Sequence, residues 1–219
     1  MSLFEGRDLI CVRGERRVFE GLDFALPAGG ALLLTGPNGS GKSSLLRLMA
    51  GLLRPAGGAL LWDGKPVNQG PEAQRGRLGY LGHLDAVKPI LTAEENLSFW
   101  AALGGGGAGE VARALEAFAL EPLRDVPGRM LSAGQKRRVA LARLIAVPAG
   151  LWLLDEPTVG LDAESVERLA QAAAAQRADG GRVVAATHIG LDLPGAEELD
   201  LARFAPAPEA ALAALEAGW

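Results

Sequence analysis

The segment Gly36-Pro37-Asn38-Gly39-Ser40-Gly41-Lys42-Ser43 fits the pattern G-x-x-x-x-G-K-[ST], and its flanks constrain the fold more than any other feature of the 219 residues. Ala31, Leu32, Leu33, Leu34 and Thr35 ahead of it read as a buried strand, and residues 44–50 behind it read as the first turns of a helix. Glycines let successive backbone N–H groups turn into such a loop, and the helix N-terminus adds positive potential at the same point. The result is a cradle for the phosphates of a nucleoside triphosphate, formed by Gly36, Pro37, Asn38, Gly39, Ser40, Gly41 and Ser44. Lys42 reaches for the β- and γ-phosphates, and the Ser43 hydroxyl is placed to ligate Mg²⁺. A glycine-rich turn with a chance lysine would lack the strand before it and the helix after it.

A second constellation is Leu151-Trp152-Leu153-Leu154-Asp155-Glu156, four apolar residues followed by two acids. A buried strand of this kind delivers both carboxylates to the C-terminal edge of a sheet, where parallel α/β folds bind their ligands. Asp155 is expected to hold Mg²⁺, directly or through water, and Glu156 to polarise a water for in-line attack on the γ-phosphate. Alone, an ordinary strand end fits as well. Beside a phosphate cradle, the chemical reading takes precedence.

Elsewhere, short strands are expected at 9–12 and 22–26, a hairpin of 59–62 with 65–67 across Asp63-Gly64, and a further strand at 78–82. Helical patterns cover 93–103 and 110–120, separated by four glycines at 104–107 that read as a tolerated loop insertion. From 135 to 146 the apolar spacing turns Val139, Leu141, Ala142 and Ile145 inward and Lys136, Arg137, Arg138 and Arg143 largely outward; Pro148 stops the helix. An alanine-rich helix over 163–178, a core strand over 182–187 and a last short helix over 209–217 complete the pattern. Strands alternating with helices imply a mostly parallel sheet covered on both faces.

The formal net charge of −4 provides no overall basic field, so nucleic acid is not an expected partner. The run Lys136-Arg137-Arg138 reads as a solvated helix face. The single cysteine, Cys11, excludes an internal disulfide, fits a reducing compartment, and is most simply a small apolar residue of the first strand. Residues 1–14 carry Glu5, Arg7, Asp8 and Arg13 without a long apolar stretch, so no secretory signal is expected. No run of about 18 apolar residues is present to span a bilayer.

Five motifs then fall in order: the phosphate loop, Leu131-Ser132-Ala133-Gly134-Gln135, Asp155-Glu156-Pro157-Thr158, Gly160-Leu161-Asp162, and His188 after the strand at 182–187. Over nearly its whole length the chain resembles the ATP-binding subunits of ABC transporters. The resemblance implies an α/β fold: a P-loop NTPase core with a mostly parallel sheet, an antiparallel N-terminal β lobe and a helical signature subdomain. It implies one domain, 1–219, with 1–86 and 147–219 as nucleotide-binding core and 87–146 as helical subdomain. ATP and Mg²⁺ are the implied ligands, and a homodimer forms on nucleotide binding. Ser132, Gly134 and Gln135 of one copy then bind the ATP cradled by the other, through the N–H groups and hydroxyl at a helix start. His188 touches the γ-phosphate and relays the closed state to Asp162 at the seam. Lys42, Glu156 and His188 are the implied catalytic group.

The chain departs from the general pattern at three places. His83 stands where most relatives carry a glutamine that touches Mg²⁺ or water and faces the membrane partner; imidazole also donates or accepts a hydrogen bond there. Ala133 replaces a glycine, adding a methyl group close to phosphate, which is expected to lower turnover without abolishing it. Arg13 stands where relatives stack an aromatic ring on adenine, with Phe4 and Phe19 as the other planar candidates, and weak selectivity for ATP over GTP follows.

Tyr80-Leu81-Gly82-His83, the Ala133 signature and the compact length are similar to the ATP-binding subunit of the haem exporter of cytochrome c maturation. That similarity implies hydrolysis coupled to haem transfer or haem-chaperone release. It implies a peripheral position on the cytoplasmic face of the bacterial inner membrane, and CcmB-like and CcmC-like membrane subunits docked near His83 and residues 93–103. The chain itself is not expected to carry haem, because it has no C-x-x-C-H and both its histidines have nucleotide-related positions. A transporter for another substrate is the alternative within the class. A soluble ABC ATPase acting on ribosomes or DNA is the alternative outside it, and its usual marks, a second cassette or a long coiled-coil insertion, are missing.

Overall fold

Alternate residues of the central strands face different hydrophobic clusters, and this alternation sets the architecture of the computed structural model, which describes residues 2–67, 77–187 and 190–206. The central sheet contains β3 (Ala31–Thr35), β6 (Leu78–Leu81), β7 (Leu151–Asp155), β8 (Arg182–Ala186) and β9 (Glu197–Asp200), in the order β6-β7-β8-β3-β9. Every neighbouring pair is parallel. Leu32, Leu34, Leu151, Leu153, Val184 and Ala186 point to one cluster; Ala31, Trp152, Leu154, Val183 and Ala185 point to the other. All residues of β7 and β8 are buried. Burial on both faces is why these strands read as unbroken apolar runs.

One face is covered by α1 (Lys42–Met49) and by an antiparallel sheet of order β2-β1-β4-β5, formed by β1 (Leu3–Arg13), β2 (Arg16–Pro27), β4 (Gly57–Trp62) and β5 (Lys65–Pro66). Cys11 is fully buried there on β1, as a small apolar residue. The other face is covered by α2 (Ala93–Gly104), α3 (Ala108–Ala117), α4 (Ala133–Ala146) and α5 (Ala163–Ala178). Capping boxes start α2, through Thr92 and Glu95, and α4, through Ser132 and Gln135.

The glycines at 104–107 are more than a tolerated insertion. A Cβ at Gly106 would lie 2.1 Å from the Ala146 carbonyl, and one at Gly104 would lie 2.3 Å from Val147 Cγ1. The missing side chains let the turn after α2 press against the end of α4. The first two strands are longer than the pattern at 9–12 and 22–26 implies, 11 and 12 residues, with register shifts that interrupt simple alternation. β9 was not anticipated, because a charged Glu-Glu-Leu-Asp edge strand shows no apolar run. The helix expected over 209–217 lies outside the described residues.

The largest correction concerns α4, whose arginines were expected to face outward. Arg137 is buried, Arg143 donates to the Tyr80 carbonyl at 3.0 Å and stacks over Trp100, and Arg138 donates to the Phe118 carbonyl at 3.3 Å. This helix packs against α2, α3, α5 and β6, so little of its surface is left for solvent. These guanidinium groups donate to backbone carbonyls of neighbouring elements.

Candidate functional site

β3 ends at the phosphate loop, and the loop's backbone is left-handed at Gly36 (φ 120°), Gly39 (82°) and Gly41 (107°). A Cβ on Gly41 would also lie 2.7 Å from Val18 Cγ1 and 2.9 Å from Phe19 Cδ1, so the antiparallel sheet presses on the loop where only glycine fits. Lys42 is folded over the loop: Nζ donates to the carbonyls of Gly36 at 2.7 Å and Pro37 at 3.1 Å. The Ser40 hydroxyl is buried without a hydrogen-bond partner among the described residues. Orphaned polar atoms of this kind are rare in folded proteins, and a phosphate oxygen in the cradle is a partner for one.

Parallel pairing brings the end of β7 to the same edge of the sheet, and the Ser43 hydroxyl donates to Asp155 Oδ1 at 2.9 Å across 112 positions of sequence. Two hard oxygen donors side by side fit Mg²⁺. Mg²⁺ takes one or two protein oxygens, with phosphate oxygens and water completing its shell.

Glu156 follows with a left-handed backbone, φ 48°. For a non-glycine residue this costs about 1–3 kcal/mol unless its surroundings impose it. Here its N–H donates to the Ala186 carbonyl at 2.8 Å, and its carbonyl accepts from Arg137 Nη2 at 2.7 Å. Beyond it, the Thr158 and Thr187 hydroxyls are 3.1 Å apart. His188, the next residue, lies outside the described residues.

At the start of α4 the Gln135 N–H donates to Ser132 Oγ at 3.2 Å, and Gln135 Oε1 accepts from the Ser132 N–H at 2.8 Å. The box leaves the N–H groups of Ala133 and Gly134 without an intrahelical acceptor. A Cβ on Gly134 would lie 3.4 Å from the Gly160 carbonyl, so this turn and Gly160-Leu161-Asp162 form one surface. Asp162 caps α5, accepting from the Ser165 N–H at 2.8 Å, and hydrogen bonds from the Ser165 hydroxyl and N–H hold its carboxyl below the usual range. Among the described residues no hydrogen bond joins 132–135 or 160–162 to the phosphate loop. The open N–H groups of Ala133 and Gly134 are a set of backbone donors in addition to those of the glycine loop.

His83 is exposed and lines a cleft of about 610 Å³ with Arg47, Tyr80, Leu84, Trp100 and Arg143. Among the described residues no hydrogen bond joins it to Ser43 or Asp155. Burial pushes the Tyr80 hydroxyl up and the Arg143 guanidinium down from their usual values. Of the planar candidates for adenine, Phe4 and Phe19 are buried in the core, while Arg13 is exposed at the β1–β2 hairpin.

Residues 19–159 match the family model described as ABC transporter. The chain belongs to the ABC transporter family. Proteins of this ABC ATPase type bind and hydrolyse ATP. The chain is 61% identical over 210 residues to the cytochrome c biogenesis ATP-binding export protein CcmA of Rhodospirillum rubrum, covering 96% of this chain and 90% of the relative. It is 56% identical to the protein of the same description from Paramagnetospirillum magneticum, covering 95% and 98%. An ABC transporter ATP-binding protein from Pyrococcus furiosus superposes with a TM-score of 0.81 at 26% identity, over 93% of this chain and all of that one. A dimeric, post-hydrolysis ATP-binding cassette bound to ADP and Pi superposes at 0.74, also with 26% identity, over 85% and 88%. The ABC fold, with a parallel sheet between an antiparallel lobe and helices, is the one expected from the ordered motifs.

Two polar side chains, Asn96 and Arg137, are buried where the sequence pattern does not lead one to expect them. Asn96 is buried; its amide donates to the carbonyls of Lys88, Leu91 and Thr92, and Oδ1 accepts from the Lys88 N–H. A polar residue within the inward stripe of Ala93, Leu97 and Ala101 was the available signal. Arg137 left none, since a charge on a polar helix face looks solvated.

Proposed function

We propose that this chain is the ATP-hydrolysing subunit of a cytochrome c biogenesis export complex, working as a pair of copies that encloses two Mg·ATP molecules. The observation that carries the ATPase chemistry is the Ser43–Asp155 contact beneath the glycine loop. The 61% identity to a CcmA protein over 96% of the chain supports the choice of complex. Residues 1–86 and 147–219 serve as the nucleotide-binding core in this reading, and 87–146 as the helical subdomain.

When ATP enters the cradle, Lys42 Nζ exchanges the Gly36 and Pro37 carbonyls for β- and γ-phosphate oxygens. The Ser43 hydroxyl and Asp155 would hold Mg²⁺, which would supply charge that neutralises the phosphates. A second copy contributes Ser132, Gln135 and the open N–H groups of Ala133 and Gly134 to the γ-phosphate. Glu156 accepts a hydrogen bond from water and takes its proton as the oxygen attacks the γ-phosphorus in line. The bond to the β–γ bridging oxygen breaks and ADP leaves with that oxygen. His188 steadies the γ-phosphate, and Asp162 faces the seam between copies.

CcmB-like and CcmC-like membrane subunits dock in this reading on the cleft around His83, where Leu84 is 80% exposed. No helix among the described residues is long and apolar enough to cross a membrane. The chain then sits peripherally on the cytoplasmic face, held by those subunits, which also handle haem.

Deleting the gene is expected to stop haem attachment to c-type cytochromes, read by haem staining of membrane proteins. Wild-type chain restores attachment and Glu156→Gln does not. Normal holocytochrome in the deletion strain would remove the cargo assignment and leave the ATPase reading standing.

A further inference from the structure

Arg137 is the inward-turned charge of α4, and it bonds to chain on two sides. Nη1 donates to the Gly82 carbonyl at 3.2 Å and pairs with Asp85 Oδ1 at 2.9 Å. Nη2 donates to the Glu156 carbonyl at 2.7 Å and reaches the Asp155 carbonyl at 3.5 Å. One planar guanidinium thus joins the loop after β6 to the acidic end of β7.

Stability alone is a poor reason for such a group. Its side chain is 7% exposed, and Nε is buried without a partner among the described residues. Apolar replacements of buried ion pairs are often neutral or stabilising, so a bond network kept here points to a need for orientation. The need is visible at Glu156, whose left-handed backbone is gripped at its N–H by Ala186 and at its carbonyl by Arg137. With the peptide planes on both sides held, the Cα–Cβ direction of Glu156 is held too. A lysine has no fork with which to bond two loops at once.

We infer that Arg137 is a positioning residue for ATP hydrolysis: it fixes the Glu156 backbone so that the carboxylate aims at the attacking water. It does so from the loop that lines the cleft, since Gly82, His83 and Leu84 all border that cleft. A partner that moves this loop moves the anchor of Glu156. The inference rests on the reading of Glu156 as the base.

The test uses the purified full-length chain with Mg·ATP, measuring kcat, KM, equilibrium ATP binding and thermal midpoint. Arg137→Met is expected to lower kcat about 10- to 100-fold, the scale of an ångström-sized misplacement, with KM and ATP affinity within about twofold of wild type. Arg137→Lys retains more turnover than Arg137→Met. Asp85→Asn lowers kcat about 3- to 10-fold, and adding it to Arg137→Met causes no further loss because both act through one network. Wild-type kcat in Arg137→Met overturns the inference, as does a fall in ATP affinity and thermal midpoint in step with kcat. Should Arg137→Met fail to fold, Asp85→Asn decides alone, and wild-type kcat there overturns the inference. Turnover retained by Glu156→Gln overturns both the base reading and this inference. An inactive Glu156→Gln beside a fully active Arg137→Met overturns the inference only.

Discussion

At the residue scale, small differences in size and reach govern the chemistry. Ala133 is exposed at the first position of α4, where its N–H is one of two left open by the capping box. Its methyl group stands where phosphate from a second copy would approach. Ala133→Gly is therefore expected to raise ATP turnover about 2- to 10-fold, because the transition-state contact shortens while helix stability changes little at a terminal position. Steady-state hydrolysis at saturating ATP checks this, and equal or lower turnover would show that the methyl group is not in the way. The places of Ser43, Asp155 and Glu156 at a helix start and a strand end were legible from the amino-acid order. Arg137 was not, since nothing local tells whether a long cationic side chain reaches water or a distant carbonyl.

At the element scale, legibility followed burial. β7 and β8 are buried on both faces and announce themselves as apolar runs, whereas β9 is a charged edge strand and announces nothing. The start of α4 was legible at Ser132, and the cap of α5 makes a pH prediction. Hydrogen bonds from Ser165 lower the Asp162 carboxyl below its ordinary value of 3.8. A carboxyl with a depressed folded value contributes its full stability above the unfolded value and loses it as pH falls through the folded one. Asp162→Ala is thus expected to lower the thermal midpoint by a few degrees at neutral pH, with the gap to wild type closing below about pH 4. A gap that persisted unchanged into acid would show that the charged cap is not its source.

At the scale of the whole molecule, the proposed function gives one chain two sets of phosphate donors, the glycine loop and the start of α4, which a second copy would bring together. With Mg·ATP, Glu156→Gln is expected to run as a dimer in light scattering, because binding proceeds while the hydrolysis that reopens the pair is slowed by orders of magnitude. Adding Ser132→Arg, which places a bulky cation at the α4 tip, returns it to a monomer. A double variant that still dimerises would place the seam elsewhere. The exposed Met130 (69%) and Val159 (50%) flank this surface and are apolar area for the second copy to cover.

The amino-acid order by itself determined the local features: a strand, a glycine loop and a helix in succession, capped helix starts, and two acids at the end of a buried strand. These follow from periodicity and from backbone constraints that act over a few residues. Only the tertiary structure decided which distant groups meet. Ser43 reaches Asp155 because α1, which follows β3, packs against β7 two strands away in the parallel sheet, and Arg137 turns inward because neighbouring elements leave its helix little contact with water. Long side chains have many neighbours within reach, and the order of strands in the sheet selects among them.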